Sequence, residues 1–213
     1  MDHAPKKPVP VFPLPDLVLF PCAVVELHVF ELRYLAMVRE ALSTDRLIAI
    51  ALLQHGWSHD HGSTEHHPIG CLGRIDAVTW RPNDSYDMRV RGLSRVRIQR
   101  PAREYPYRCA CVVPVPQEPL DDDDPLIQME RLALDESYRR IRSWTESFAL
   151  QGGGRSLSFE AYVNSVCHEL PLSPPEKLEL LELDSVLARS RLARERMDKV
   201  VLRPEPRREG ERN

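Results

Sequence analysis

The spacing of apolar positions divides this chain into two parts. Up to Val115 the pattern is short and strand-like, with Pro and Gly at the joints; from Pro125 onward it is helical. Val9–Leu14 reads as a first strand, and Pro13 and Pro15 confine it to a sheet edge or a bend. After the apolar run Leu17–Phe20, Pro21 turns the chain into a strand over Ala23–Val29, where Val24, Glu26 and His28 alternate with Val25, Leu27 and Val29. Leu35, Val38 and Leu42 form one stripe, extended by Leu32, and predict a helix over Glu31–Leu42. Leu47–Leu53 is apolar throughout and suits a strand covered on both faces. A polar loop is expected over Gln54–Pro68. Gly70–Trp80 and Tyr86–Val90 then flank the turn residues 81–85 as a hairpin. Leu93–Gln99 and Tyr107–Val115 complete the strands, read here as two separate ones.

Composition shifts at residues 114–125, PVPQEPLDDDDP, the best boundary in the chain. Leu134, Tyr138, Ile141, Trp144 and Phe148 then share one helix face, which Gly152, Gly153 and Gly154 end. Phe159–His168 is a second helix with Ser158 as its cap. Ser173-Pro174-Pro175-Glu176 combines a capping box with Pro at the first helical position. Asp184 is the expected cap of a last helix, along which Val186, Ala193, Met197 and Val200 recur. The expected organisation is a flexible arm (1–8), a β-rich part (9–118), a helical part (119–202) and a disordered tail (203–213), an α+β fold.

Composition adds little to this outline. The net charge of −3 supplies no field for nucleic acid or an anionic membrane, so neither is an expected partner. Five Cys, an odd number with no paired framework, point to a reducing, cytoplasmic setting. No apolar run approaches the ~18 residues a membrane helix needs, and the N-terminus has no unbroken apolar stretch of the kind a secretory signal uses.

Four motifs in order carry a resemblance: FPLPDLVLFP (12–21), LHVFELRY (27–34), RGLSRVRI (91–98) and KLELLELDSVLARSR (177–191). Together they resemble the N-terminal domain of Lon proteases, and most closely its free-standing version. The resemblance implies a PUA-like β-barrel followed by a helical bundle, and a module that holds substrate and does no chemistry. Family members often carry Gly where Cys22 stands, and Pro where Leu32 stands. A side chain at 22 is tolerated if the backbone avoids the left-handed region. Gly92 is expected to supply a bulge or bend.

No catalytic constellation competes with that reading. A phosphate-binding loop needs GxxxxGK[ST], and none of the four Lys, at 6, 7, 177 and 199, follows a Gly. Arg91-Gly92-Leu93-Ser94-Arg95 lacks the second Gly of a nucleophile elbow. His55, His59, His61, His66 and His67 form the one metal-like cluster, which would be the basis of a metal-dependent enzyme. The segment is Gly- and Ser-rich with no Cys beside it, so a solvated loop is the better reading and no metal or cofactor is expected. Cys109 and Cys111 share a strand face and read as core. Nothing local lowers the pKa of Cys22, so no nucleophile is expected there. Arg89, Arg91, Arg95 and Arg97 alternate and read as a solvent face; the sharper alternative is an RNA-binding stripe on a PUA-like barrel. Asp121–Asp124 precede a helix and suit its positive end.

The function expected from the resemblance is non-catalytic binding of polypeptide, with unfolded or peptide segments of proteins as partners and a protease or chaperone as a candidate associate. The binding site is expected as an apolar cleft where barrel and bundle meet. Phe30, Trp57, Trp80 and Tyr86 are the aromatic candidates for it.

Overall fold

The structure, a computed structural model, describes residues 5, 7–54, 65–82, 84–142 and 157–201. Trp57, His55, His59, His61, Trp144, Phe148, the 152–154 glycines, the tail and most of the arm lie outside the described residues. The elements run β1 (Val9–Leu14), β2 (Val24–Val29), α1 (Leu32–Leu42), β3 (Leu47–Leu53), β4 (His66–Arg81), β5 (Ser85–Arg103), β6 (Cys109–Pro114), α2 (Pro125–Arg142), α3 (Phe159–Glu169), α4 (Pro174–Glu182) and α5 (Val186–Val201). The class is α+β.

The sheet order is β2-β5-β4-β3-β1-β6, with β1 and β3 parallel and the other pairs antiparallel. β5 also pairs with β6, so the pairings β5-β4-β3-β1-β6 return to β5. All five of these strands contribute to a small enclosed cluster: Val9 and Val11, Leu47, Ala49 and Ala51, Leu72, Val96 and Ile98, Ala110 and Val112. The opposite faces join a larger cluster with α1 and the helices that follow, among them Phe12, Ile48, Ile50, Met37, Phe159, Leu178 and Met197. β3 is buried along its whole length because alternate residues serve these two clusters, which is why its sequence is apolar without a break.

Leu93–Gln99 is not a separate strand. β5 is continuous, and its ladder with β4 slips where Leu72 pairs with Ser94 but Gly73 pairs with Gly92, leaving Leu93 as the extra residue of a bulge. Gly92 is needed there for space: a Cβ would lie 2.1 Å from the Phe20 carbonyl oxygen. The Gln54–Pro68 loop is also shorter than expected, since His66, His67 and Pro68 belong to β4 and His66 pairs with Leu53. β1 lies inside the sheet order, yet β6 covers only Val9 and Pro10, so Pro13 has an open flank.

Helix ends follow from local chemistry. Ser158 Oγ accepts from Ala161 N at 3.2 Å. The Glu176 carboxylate accepts from the Ser173 amide at 2.9 Å and from its hydroxyl at 2.6 Å, closing the expected box at the start of α4. The acidic run splits its roles: Asp124 accepts from Leu126 N at 2.8 Å in α2, and Asp122 accepts from Phe159 N at 3.0 Å in α3. Ser185, not Asp184, caps α5, accepting from Ala188 N at 3.3 Å. α5 packs against α2, α3 and α4.

Candidate functional site

Three of the four aromatic candidates fall at one end of a sub-sheet, Tyr86 and Trp80 on its core-ward face and Phe30 beside His28 of the other face. The register places Val29 opposite Tyr86, and Tyr86 opposite Trp80, across β2, β5 and β4. Phe30 follows Val29, so Phe30, Tyr86 and Trp80 share one end of this sub-sheet. Phe30 is 65% exposed and Trp80 57%, while Tyr86 is half-buried. The Tyr86 hydroxyl accepts from Arg39 Nε of α1 at 3.2 Å, and Phe30 stacks on His28 with ring centroids 6.0 Å apart.

Behind these aromatics, the outer face of β2, β5 and β4 forms a groove of about 460 Å³ lined by Glu26, His28, Thr79, Arg81, Asp87 and Arg89 among others. His28 Nδ1 lies 2.7 Å from Asp87 Oδ1, and Arg81 bonds the other carboxylate oxygen. His28 first, then Arg81, holds the Asp87 carboxyl below its usual range. Charges of both signs line this groove.

A second cleft, of about 390 Å³, lies between β1, the start of α1 and residues 104–108. Leu32 and Tyr105, 84% and 86% exposed, line it together with Pro13 and Pro106. The Tyr105–Pro106 peptide is cis. The buried Tyr107 behind it donates to Glu40 of α1, and Arg103 bonds both Glu40 oxygens at 3.1 and 3.0 Å. The Tyr107 hydrogen bond, against some burial, and then Arg103 hold the Glu40 carboxyl low. This network fixes the loop that displays Tyr105. Leu32, expected to extend the apolar stripe of α1, is exposed because it opens the helix at the cleft's rim, and Tyr105 was missed in the sequence. The available signal was the doublet of tyrosines around Pro106.

Both clefts lie on the sheet side. At the meeting of sheet and helices, where a cleft was expected, two buried arginines stand. Arg95, only 3% exposed, donates from β5 to Leu181 O at 3.0 Å, to Pro116 O at 3.2 Å and to Asp184 Oδ1 at 3.2 Å. Arg189 of α5 lies beside this point, donating to Leu180 O, Leu183 O and Asn164 Oδ1. Two guanidiniums thus take the carbonyls that the end of α4 leaves without intrahelical partners.

Arg95 also breaks the expected arginine stripe. Ahead of the bulge, even-numbered Met88 and Val90 face the larger core; after it Arg95, opposite the core residue Cys71, does so. Arg89 and Arg91 therefore lie on one face of the sheet and Arg95 and Arg97 on the other, and Arg91 pairs with Asp76 at 2.7 Å. The cysteines divide as well. Cys109 is buried, but Cys111 is exposed, contrary to the core reading; its neighbours Ala110 and Val112 are the inward ones. Burial pushes the Cys71 and Cys167 thiols up to about 12, and raises Cys109 against the pull of Arg103. Partial burial and then Glu160 raise Cys22 as well. Among the described residues, no group of three or more His, Cys, Asp or Glu is placed to hold a metal ion, and His66 turns Nδ1 to the His67 carbonyl at 2.8 Å.

An α+β domain with exposed aromatics beside two sheet-side clefts is the class of protein this geometry defines. Residues 8–199 match the ATP-dependent protease La (LON) substrate-binding domain, and the chain belongs to that family. The Lon protease of Rhizobium meliloti (strain 1021) is 25% identical over 187 residues, covering 84% of this chain and 22% of that protein. The chain spans less than a quarter of the length of the curated Lon proteases it matches. Among solved structures, the Lon N-terminal domain protein from Xanthomonas campestris shares the fold with a TM-score of 0.62 at 24% identity, over 93% of this chain and 99% of that one. The N-terminal domain of the Mycobacterium avium complex Lon protease gives 0.68 at 18% identity, over 90% and 98%. No described helix is long and apolar enough to cross a membrane.

Proposed function

We propose that this protein is a non-catalytic polypeptide-binding module. Its two parts are a PUA-like barrel over 9–118 and a helical bundle over 119–202, and it works in the cytoplasm without a cofactor. The observation that carries the reading is its membership of a substrate-binding family across residues 8–199. The geometry supports it: Phe30, Leu32, Trp80 and Tyr105 are large and exposed. Leu32 and Tyr105 line one cleft; Phe30 stacks on His28, and Trp80 stands in sequence between Thr79 and Arg81, residues that line the other. Trp57 remains a candidate for the same role. Unfolded or peptide segments are the clients, and a protease or chaperone that receives them is the natural associate.

The RNA reading needs a continuous basic stripe, and the bulge at Leu93 divides the arginines between two faces. The metal-enzyme reading needs ligands from the His-rich segment, of which His66 has its Nδ1 turned to the His67 carbonyl. Titration of a fluorescein-labelled unfolded polypeptide and of a short RNA at two salt concentrations tests the choice. The polypeptide is expected to bind with a dissociation constant in the micromolar range, about −8 kcal/mol. Tighter RNA binding that weakens about tenfold or more as salt rises would replace this reading with the nucleic-acid one.

A further inference from the structure

Among the described residues, β2 pairs with β5 alone. The hydrogen bonds at its start fix which way its backbone points. Gly92 N–H donates to the Ala23 carbonyl at 2.9 Å, and Cys22 N–H donates to the Gly92 carbonyl at 2.9 Å. Ala23 is therefore opposite Gly92, with its carbonyl aimed at β5. From there the register runs without a shift from Val24 opposite Arg91 to Val29 opposite Tyr86. In an antiparallel pair, alternate residues bond the partner strand. Val25, Leu27 and Val29 thus turn their N–H and C=O groups to β5. Val24, Glu26 and His28 turn theirs outward, and no other described residue bonds them.

Proteins blunt such edges with Pro, Lys or a bulge. The open flank of β1 carries Pro13, and β6 is paired on both sides. Between Val24 and Val29, β2 (VVELHV) has no Pro, no Lys and no register shift, and Glu26 is its one residue among Asp, Glu, Lys and Arg. The bulge that Cys22 and Ala23 form opposite Gly92 falls before it. We propose that the outer edge of β2 takes an extended segment of a client polypeptide as an added strand. This inference rests on the polypeptide-binding reading above and specifies how the client is held. The occupant follows from the backbone pattern: donor–acceptor groups that repeat every second residue, about 6.8 Å apart, are matched by another extended main chain. Main-chain bonds make the site tolerant of client sequence. Side chains on one face of the added strand fall beside the groove of Glu26, His28, Asp87 and Arg89, whose mixed charge excludes neither sign. Exposed Val24 and Phe30 flank the two ends and suit apolar residues.

The test uses the full chain and three proteins: the parent, Glu26→Pro and Glu26→Gln. Proline removes the central outward N–H, a change that edge strands accommodate. Glutamine removes the charge and keeps the N–H. The probe is fluorescein-labelled, reduced and carboxymethylated α-lactalbumin. The inference expects Glu26→Gln to bind like the parent and Glu26→Pro to bind about tenfold more weakly or worse. Equal binding by Glu26→Pro overturns the edge site and leaves the polypeptide-binding reading standing. No binding by the parent overturns both. If circular dichroism shows that Glu26→Pro is unfolded, amide hydrogen exchange on the parent decides. Slowing at Val24, Glu26 and His28 under saturating probe supports the added strand, and unchanged exchange there overturns it. Slowing at those amides without probe, together with a dimer in sedimentation, assigns the edge to a second copy and overturns the client as occupant.

Discussion

Burial holds the His168 imidazole down to about 4, and the Lys177 ammonium, which donates to the His168 carbonyl, adds to the shift. In the unfolded chain a histidine titrates near ~6.5. The unfolded state therefore binds a proton as pH falls below that value, while the folded state stays neutral until about pH 4. Stability is complete above the unfolded value and drains away between the two, on the order of 2 kcal/mol between pH 7 and pH 5. Urea unfolding at the two pH values should show this loss in the parent, and His168→Gln should show much less of it. An equal pH dependence in both proteins would place the titrating group elsewhere. Cys22 supplies a second test at this scale. Its φ of 68° is left-handed, so the expectation of an ordinary backbone beneath its side chain is not met. The strain there is about 1–2 kcal/mol. A glycine relieves it and costs about 0.5–1 kcal/mol in unfolded-state entropy. The first magnitude is the larger and the side chain is exposed, so Cys22→Gly should stabilise the fold by up to about 1 kcal/mol in equilibrium unfolding.

Among the elements, the strand-forming runs and helix starts were legible in the sequence because their causes are local. β3 declares itself by seven consecutive apolar residues, and α4 by Ser173, the prolines and Glu176. What escaped depends on partners far along the chain. Arg95 looked like its exposed neighbours, because the one-residue bulge that turns it inward and the α4 carbonyl it reaches, 86 residues on, leave no local mark. Cys111 was misread for a related reason, since neither alternate face of β6 could be assigned to the core before its partners were known. The aromatic candidates were chosen by residue type, and only the register of β2, β5 and β4 shows that Phe30, Tyr86 and Trp80 share an end. Adjacent Asp184 and Ser185 are both good caps, and only the geometry chooses Ser185. Arg95→Ala tests the weight of this long-range tie. It leaves the Leu181 and Pro116 carbonyls without a donor at the meeting point of β5 and α4, at a cost of about 2–4 kcal/mol. Asp184 stays in water and adds little to that cost. A change below about 0.5 kcal/mol in denaturant unfolding would show that water replaces the guanidinium.

For the molecule as a whole, the decisive contrast is between apolar contact and charge. The net charge is −3, and the basic side chains that once suggested a stripe are divided by the bulge between two faces of the sheet. Exposed Phe30 and Trp80, in contrast, both lie at one end of β2–β5–β4, beside the strand whose edge is open. If polypeptide is held by that surface, binding should change little between low and moderate salt, because screening acts on charge pairs and not on buried apolar area. Arg89→Glu with Arg97→Glu should then leave the affinity for an unfolded polypeptide within about threefold of the parent. Arg95 is excluded from that set because its reversal would disrupt the fold. Trp80→Ala with Phe30→Ala should weaken binding about tenfold or more, since each buried ring contributes on the order of 1–2 kcal/mol at an interface. Both exposed positions can be changed with little effect on thermal unfolding, so affinity and stability separate cleanly in the same samples. The opposite ranking, in which the arginine reversals abolish binding and the aromatic truncations do nothing, would move the contact surface off the end of the sheet and make charge, not apolar area, the basis of recognition.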